Sequence, residues 1–197
     1  MKFVNALALA PHLENLSKAF VGESQARNRY TMYSKIAKKE GYEKIAEIFL
    51  ITAGNEYQHA KVLFKMIQEL KGDKNEINTE TGVCFDYGNT AENLASAAGG
   101  ENYEANVMYP EFADVAEEEG YTEIAVRLRN IGLVEAHHEA RYKKLLEMVE
   151  GKTFFDRPEE VTWVCRKCGF VYKGEKPPEK CPICEHPYSY FELAEDF

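Results

Sequence analysis

The chain has no apolar run that approaches the ~20 residues needed to span a bilayer, so no membrane-embedded protein is expected. It is also short of positive charge: 24 Lys and Arg stand against 33 Asp and Glu, for a net charge of −9. Phosphate contacts need a basic surface, which argues against nucleic acid as a partner. Cysteine is scarce until late in the sequence, where Cys84 is the one thiol ahead of a cluster at Cys165, Cys168, Cys181 and Cys184. That distribution argues against a disulfide framework. The opening stretch from Met1 to Ala10 is mildly apolar but lacks a full secretory signal, so a cytoplasmic protein is expected.

What is present is a repeat. Glu56-Tyr57-Gln58-His59 returns 79 residues later as Glu135-Ala136-His137-His138. Each Glu-x-x-His puts a carboxylate and an imidazole one helical turn apart on one face. Residues 12 to 150 read as four long helices, with turns near Gly41 and Gly120 where a left-handed C-terminal residue is needed. In the second helix Ile45, Phe49, Thr52, Glu56, His59, Leu63 and Met66 alternate in steps of four and three. Ile124, Leu128, Ile131, Glu135, His138, Tyr142 and Leu145 do the same in the fourth. That is the core seam of a bundle. The first and third helices carry Glu23 and Glu101 at matching seam positions, 78 residues apart, with Glu104 one turn beyond Glu101. Glu23 and Glu56 lie on either side of the Gly41 turn, as Glu101 and Glu135 do for Gly120, so all four levels meet in one layer.

Residues 72 to 89 form a connection of about eighteen residues, long for antiparallel neighbours and suited to a crossover along the bundle. Thr90 is the expected N-cap of the third helix. Pro110 falls inside that helix, where it should kink or loosen it.

The seam positions of Glu23, Glu56, His59, Glu101, Glu104, Glu135 and His138 exclude a solvated polar face. Unpaired buried charges cost several kcal/mol each, and the seams offer little compensating positive charge at that level. Two bound metal ions resolve this. Carboxylates with imidazoles point to iron or manganese; a Glu from each of two helices plus two Glu-x-x-His motifs is the known pattern of di-iron and di-manganese bundles. Tyr30, two turns after Glu23, and Tyr109, five residues after Glu104, are candidates to hydrogen-bond ligating carboxylates and relay protons. His12, His137 and His186 occupy no seam position and read as non-ligands.

After a linker at 151–160, residues 161 to 197 are short and aromatic, with candidate strands at Val161–Val164, Phe170–Tyr172 and Tyr190–Leu193. A unit this small needs a staple. Cys165-x2-Cys168-x12-Cys181-x2-Cys184 supplies one, as two loops that close a tetrahedron of thiolates. Zinc in a structural ribbon and iron in a redox centre both fit this set. Gly169 and Glu185 stand at equivalent places after the two pairs, where a positive φ is expected.

A carboxylate four-helix bundle followed by "CRKCGFVY…CPICEHP" resembles the rubrerythrin family over nearly the whole chain. The resemblance implies a mainly α fold: a ferritin-like di-iron bundle with one long crossover over 1–150 and a rubredoxin-like β domain over 161–197. It implies two irons on Glu23, Glu56, His59, Glu101, Glu104, Glu135 and His138, with Glu104 and His59 exchanging at one iron on reduction. One further iron is implied on the four cysteines. Glu23 with Tyr30, and Glu104 with Tyr109, match the family's ligand–tyrosine pairs. The implied activity is reduction of hydrogen peroxide to water in oxidative-stress defence, with electrons from rubredoxin or an NAD(P)H-dependent reductase, in a homodimer. A ferroxidase or iron-binding ferritin-like role is the alternative.

Overall fold

A computed structural model describes residues 10 to 194; the sequence reading of Met1 to Leu9 lies outside them. Helices α1 (Pro11–Lys39) and α2 (Glu43–Leu70) form one antiparallel hairpin. The crossover then leads to α3 (Thr90–Tyr103), a π-helical segment (Glu104–Met108) and α4 (Tyr109–Glu118), which together pack on α5 (Thr122–Glu150) as the second hairpin. No helix among the described residues is long and apolar enough to cross a membrane.

Both hairpin turns close by the same device. Gly41 and Gly120 adopt φ of 85° and 86°, and the following residues, Tyr42 and Tyr121, donate back to Ala37 and Ala116 at 2.8 Å. This six-to-one bond is the Schellman cap. The N-cap of α3 is Asn89, one residue earlier than expected: its side chain accepts from Glu92 N–H and Glu92 accepts from Asn89 N–H. The reciprocal pair satisfies two orphan donors, whereas the Thr90 hydroxyl is committed to Glu40 Oε2 at 2.5 Å.

The loosening expected at Pro110 takes a definite form. In a regular helix the proline ring collides with the carbonyl four residues back. The π turn just before it widens the helix, and Tyr109 N–H donates to Glu104 O, five residues back. The insertion is visible in the spacing of the repeat. Glu23 and Glu101 are 78 apart, but Tyr30 and Tyr109, or Gly41 and Gly120, are 79 apart.

Two apolar clusters stack along the bundle. One contains Leu13, Leu16, Leu63, Met66, Leu128 and Ile131; the other contains Tyr30, Tyr33, Ile45, Phe49, Leu94 and Tyr142. The seam carboxylates lie between them. Beyond Glu150, strands β1 (Val161–Cys165), β2 (Val171–Gly174) and β3 (Phe191–Leu193) form an antiparallel sheet in the order β2-β1-β3, with a 3₁₀ turn at Tyr188–Tyr190. Trp163 and Phe191 fill its small core with Cys165 and Cys181.

The sheet unit docks on the turn end of the first hairpin. Tyr42 packs against Phe154 and Phe155 at ring-centre distances of 5.4 and 5.9 Å. The buried Glu192 carboxylate is held by Lys44 at 2.9 Å and Arg166 at 3.3 Å, and Arg166 also meets Glu47 at 2.8 Å.

Candidate metal centres

The seam brings the two Glu-x-x-His motifs face to face. His59 Nδ1 lies 2.8 Å from Glu135 Oε1, 2.9 Å from Glu56 Oε2 and 3.6 Å from Glu23 Oε2. His138 Nδ1 lies 2.8 Å from Glu135 Oε2, 3.3 Å from Glu56 Oε1 and 3.5 Å from Glu101 Oε2. Two groups emerge, each with ligand atoms mutually within 4.8 Å: Glu23, Glu56, His59 and Glu135, and Glu56, Glu101, Glu135 and His138. Glu56 and Glu135 belong to both, one oxygen facing each group.

These atoms are close without being hydrogen-bonded. Glu23 Oε2, Glu101 Oε2, both oxygens of Glu56 and Glu135, and Nδ1 of both histidines are buried and have no hydrogen-bond partner. Their lone pairs converge on common centres rather than on one another. Buried polar atoms left in that state are costly, and a cation at each centre satisfies them together. The oxygens turned away from the centres are satisfied by tyrosines. Tyr30 donates to Glu101 Oε1 at 2.5 Å, and Tyr109 donates to Glu23 Oε1. The ligand–tyrosine pairs are therefore crossed between hairpins, a correction to the same-hairpin pairs Glu23–Tyr30 and Glu104–Tyr109. Seven residues of helix carry Tyr30 past Glu23 into the apolar level next to the layer, and its hydroxyl reaches back into the layer at Glu101 on the facing helix.

Burial and the neighbouring charges shift the titration of the layer. Burial pushes the Glu23 and Glu101 carboxyls up to about 8. Burial also raises Glu135, but His138 and His59 outweigh it and bring this shared carboxylate down to about 2. Burial disfavours charge on the imidazoles, yet the surrounding carboxylates lift His138 to about 11 and raise His59 as well.

Glu104 belongs to neither group. It is buried, and it lines an open cleft of about 890 Å³ between α1, α3 and the crossover, together with Arg29, Cys84 and Tyr103. Burial first, and then Glu23 and Glu101, keep its carboxyl well above the ordinary range. Gly22 faces Glu104 across this space: a Cβ there would stand in ordinary contact, 3.7 Å from Glu104 Oε1. Arg29 was missed by sequence reasoning; the signal was a cation on α1 one turn from the seam position of Ala26.

The four cysteines converge as expected. Cys165 and Cys184 sulfurs are 3.6 Å apart, and Cys168 and Cys181 sulfurs 3.5 Å apart. These are far longer than a disulfide and close to the ~3.8 Å edge of a tetrahedron built on ~2.3 Å metal–sulfur bonds. The two loops are equivalent in hydrogen bonding: Gly169 N–H donates to Cys165 O and Glu185 N–H to Cys181 O. Gly169 and Glu185 take φ of 75° and 60°. Burial raises the Cys181 thiol, but N–H groups of Cys184 and Ile183 outweigh it and draw it down to about 6. His12 instead pairs with Glu119 at 2.6 Å, and His186 Nδ1 lies 3.1 Å from Cys184 O.

The fold and these two sites define a ferritin-like carboxylate bundle joined to a rubredoxin-like tetrathiolate unit. The profile described as Rubrerythrin matches residues 14–146, and that described as Rubrerythrin, rubredoxin-like domain, matches residues 163–192. The chain belongs to the rubrerythrin family. It is 58% identical over 186 residues to a putative rubrerythrin of Methanocaldococcus jannaschii, covering 92% of this chain and 91% of the relative. It is 50% identical over 181 residues to rubrerythrin of Porphyromonas gingivalis, covering 91% and 88%. Among solved structures, partially reduced nigerythrin superposes with a TM-score of 0.63 at 32% identity, covering 98% of this chain and 91% of that one. The cofactors of this class are a di-iron carboxylate centre in the bundle and one iron on the four cysteines, and the class is that of iron-dependent oxidoreductases.

Proposed function

We propose that the protein reduces hydrogen peroxide to water, with electrons entering through the tetrathiolate unit from rubredoxin or an NAD(P)H-dependent reductase. The observation that carries this reading is the pairing of two sites in one chain: a two-ion carboxylate layer and a one-ion thiolate unit clamped to the bundle by Glu192. Iron storage has no use for such an inlet.

In this reading the group of Glu23 and His59 and the group of Glu101 and His138 would each hold an iron, with Glu56 and Glu135 contributing to both groups. Bound there, iron would supply the reducing electrons for O–O cleavage. The chain's own groups do the rest. Tyr30 and Tyr109 fix the outer oxygens of Glu101 and Glu23, so the inner oxygens stay aimed. Glu104, buried on the wall of the open cleft, holds a proton on the side from which a small molecule would approach the layer. That His59 lies among the convergent ligand atoms and Glu104 outside them supports an exchange of these two residues at one iron.

The thiolate unit docks at Lys44, and Glu56 lies twelve residues further along α2, about 18 Å at 1.5 Å per residue. A thiolate unit from a second copy, laid against the side of the bundle, would come nearer the layer than the chain's own. That distance supports a homodimer. The test is steady-state peroxide loss by the iron-loaded protein with a reductase and NADH. Reduced protein that is not reoxidised by peroxide would sink the reading.

A further inference from the structure

A row of tyrosine rings leads from the carboxylate layer to the surface. Tyr30, bonded to Glu101, lies 6.1 Å from Tyr33 between ring centres. Tyr33 lies 6.5 Å from Tyr87, with the planes 28° apart. Phe49 and Tyr142 sheathe the inner rings, at 6.0 and 5.5 Å from Tyr30. Tyr30 and Tyr33 are fully buried, whereas Tyr87 is 61% exposed. All of these separations lie within the range of interacting aromatic pairs.

Core packing accounts for the inner rings but not for the rest of the arrangement. Phenylalanine would pack as well at Tyr33, and the exposed Tyr87 contributes little to a core. The Tyr33 hydroxyl has a polar way out. It donates to Asp86 O at 2.7 Å and lies 3.4 Å from Ser96 Oγ, which donates to the exposed Asp86 carboxylate at 3.0 Å. Rings in series with a hydroxyl route beside them are what stepwise electron transfer through tyrosine requires, since a phenol sheds its proton when it loses an electron.

We propose that Tyr30, Tyr33 and Tyr87 carry single oxidising equivalents out of the carboxylate layer, making Tyr87 a reserve one-electron donor when electrons from the thiolate unit run short. The proposal rests on the peroxide reading. Hydrogen peroxide takes two electrons and two protons to become two waters. With one electron already delivered, the second comes from Tyr30, which is refilled from Tyr33, and Tyr33 from Tyr87. The Tyr30 proton moves within its bond to Glu101 and returns. For the Tyr33 proton to leave, the hydroxyl turns from Asp86 O to Ser96 Oγ, 3.4 Å away, as the Ser96 proton passes to the Asp86 carboxylate; both then return. The net loss is one electron and one hydroxyl proton from Tyr87, which becomes a neutral phenoxyl radical at the surface; solvent supplies the other proton. Two such radicals on separate molecules couple through a new carbon–carbon bond.

The test uses iron-loaded full-length protein, given limiting reductant and then hydrogen peroxide in the presence of a nitroso spin trap. Peroxide loss, freeze-quenched electron paramagnetic resonance and peptide mass spectra are read on the same sample. The wild type should carry the trap on Tyr87. Tyr33→Phe, which keeps the ring, should consume peroxide but lose most of the Tyr87 adduct. Tyr87→Phe, at an exposed position with no folding burden, should hold the radical signal inside the protein and lose covalent dimer. Peroxide loss with no Tyr87 adduct, or with an equal adduct in Tyr33→Phe, overturns the proposal alone. No peroxide loss by the reduced wild type overturns it together with the peroxide reading.

Discussion

Tyr109 reaches across the bundle to Glu23 as Tyr30 reaches to Glu101, so each hairpin fixes a carboxylate of the other. Tyr109→Phe leaves a buried carboxylate oxygen without its donor. The metal-free protein should lose about 1–3 kcal/mol, read from denaturant midpoints. Glu104 is a different kind of residue, since it lies outside both convergent groups. Glu104→Ala should keep the fold and most of the bound iron while slowing peroxide-dependent reoxidation. Unchanged turnover would refute the Glu104–His59 exchange.

At the scale of elements, the thiolate loops show where side chain and backbone disagree. Gly169 and Glu185 adopt the same left-handed conformation, and only the first is free of steric cost. Glu185→Gly should retain the thiolate-site spectrum and stabilise the small unit by about 1 kcal/mol, visible as a higher temperature for loss of that spectrum. The four-and-three spacing of apolar and acidic residues made the helices and the carboxylate layer legible in the sequence, because seam position alone decides what a bundle buries. Packing between hairpins was not legible. Tyr30 meets Glu101 because of a crossing geometry that no single helix encodes. The exact cap of α3 escaped for a smaller reason: Asn89 and Thr90 are both capping residues, and a distant Glu40 claims the second.

For the whole molecule, the protons trapped in the layer set how stability varies with pH. Glu23 and Glu101 titrate near 8 in the folded metal-free chain, against an ordinary 4.5. Their contribution is full below 4.5 and is lost as pH rises through 8. His138, raised to about 11, adds a contribution that is full below its ordinary 6.5 and lost as pH rises through 11. Glu135, near 2, contributes above 4.5 and loses that only as pH falls through 2. Thermal midpoints of metal-free protein should therefore fall between about pH 5 and 8. Iron-loaded protein, whose ligands have already released their protons, should hold a flatter profile. The two sites should also separate: Cys165→Ser should abolish the thiolate-site colour and leave bundle iron in place, as read by metal analysis. Loss of both would show that the units do not hold metal independently.

The π turn at Glu104–Met108 gives the asymmetry of the layer an all-or-none character. A helix accommodates one extra residue or none, so the register of the two halves can agree on only one side of the turn. Before it the halves match at 78, and after it at 79. Glu104, whose counterpart is Ala26, begins at that seam. Point substitutions can change what stands there but cannot restore the two-fold match. Deleting one residue from 105–108 would do so, turning Glu104 about 100° around its helix relative to Tyr109. A lineage that once held two equal halves would thus have reached this layer by insertion, in one step.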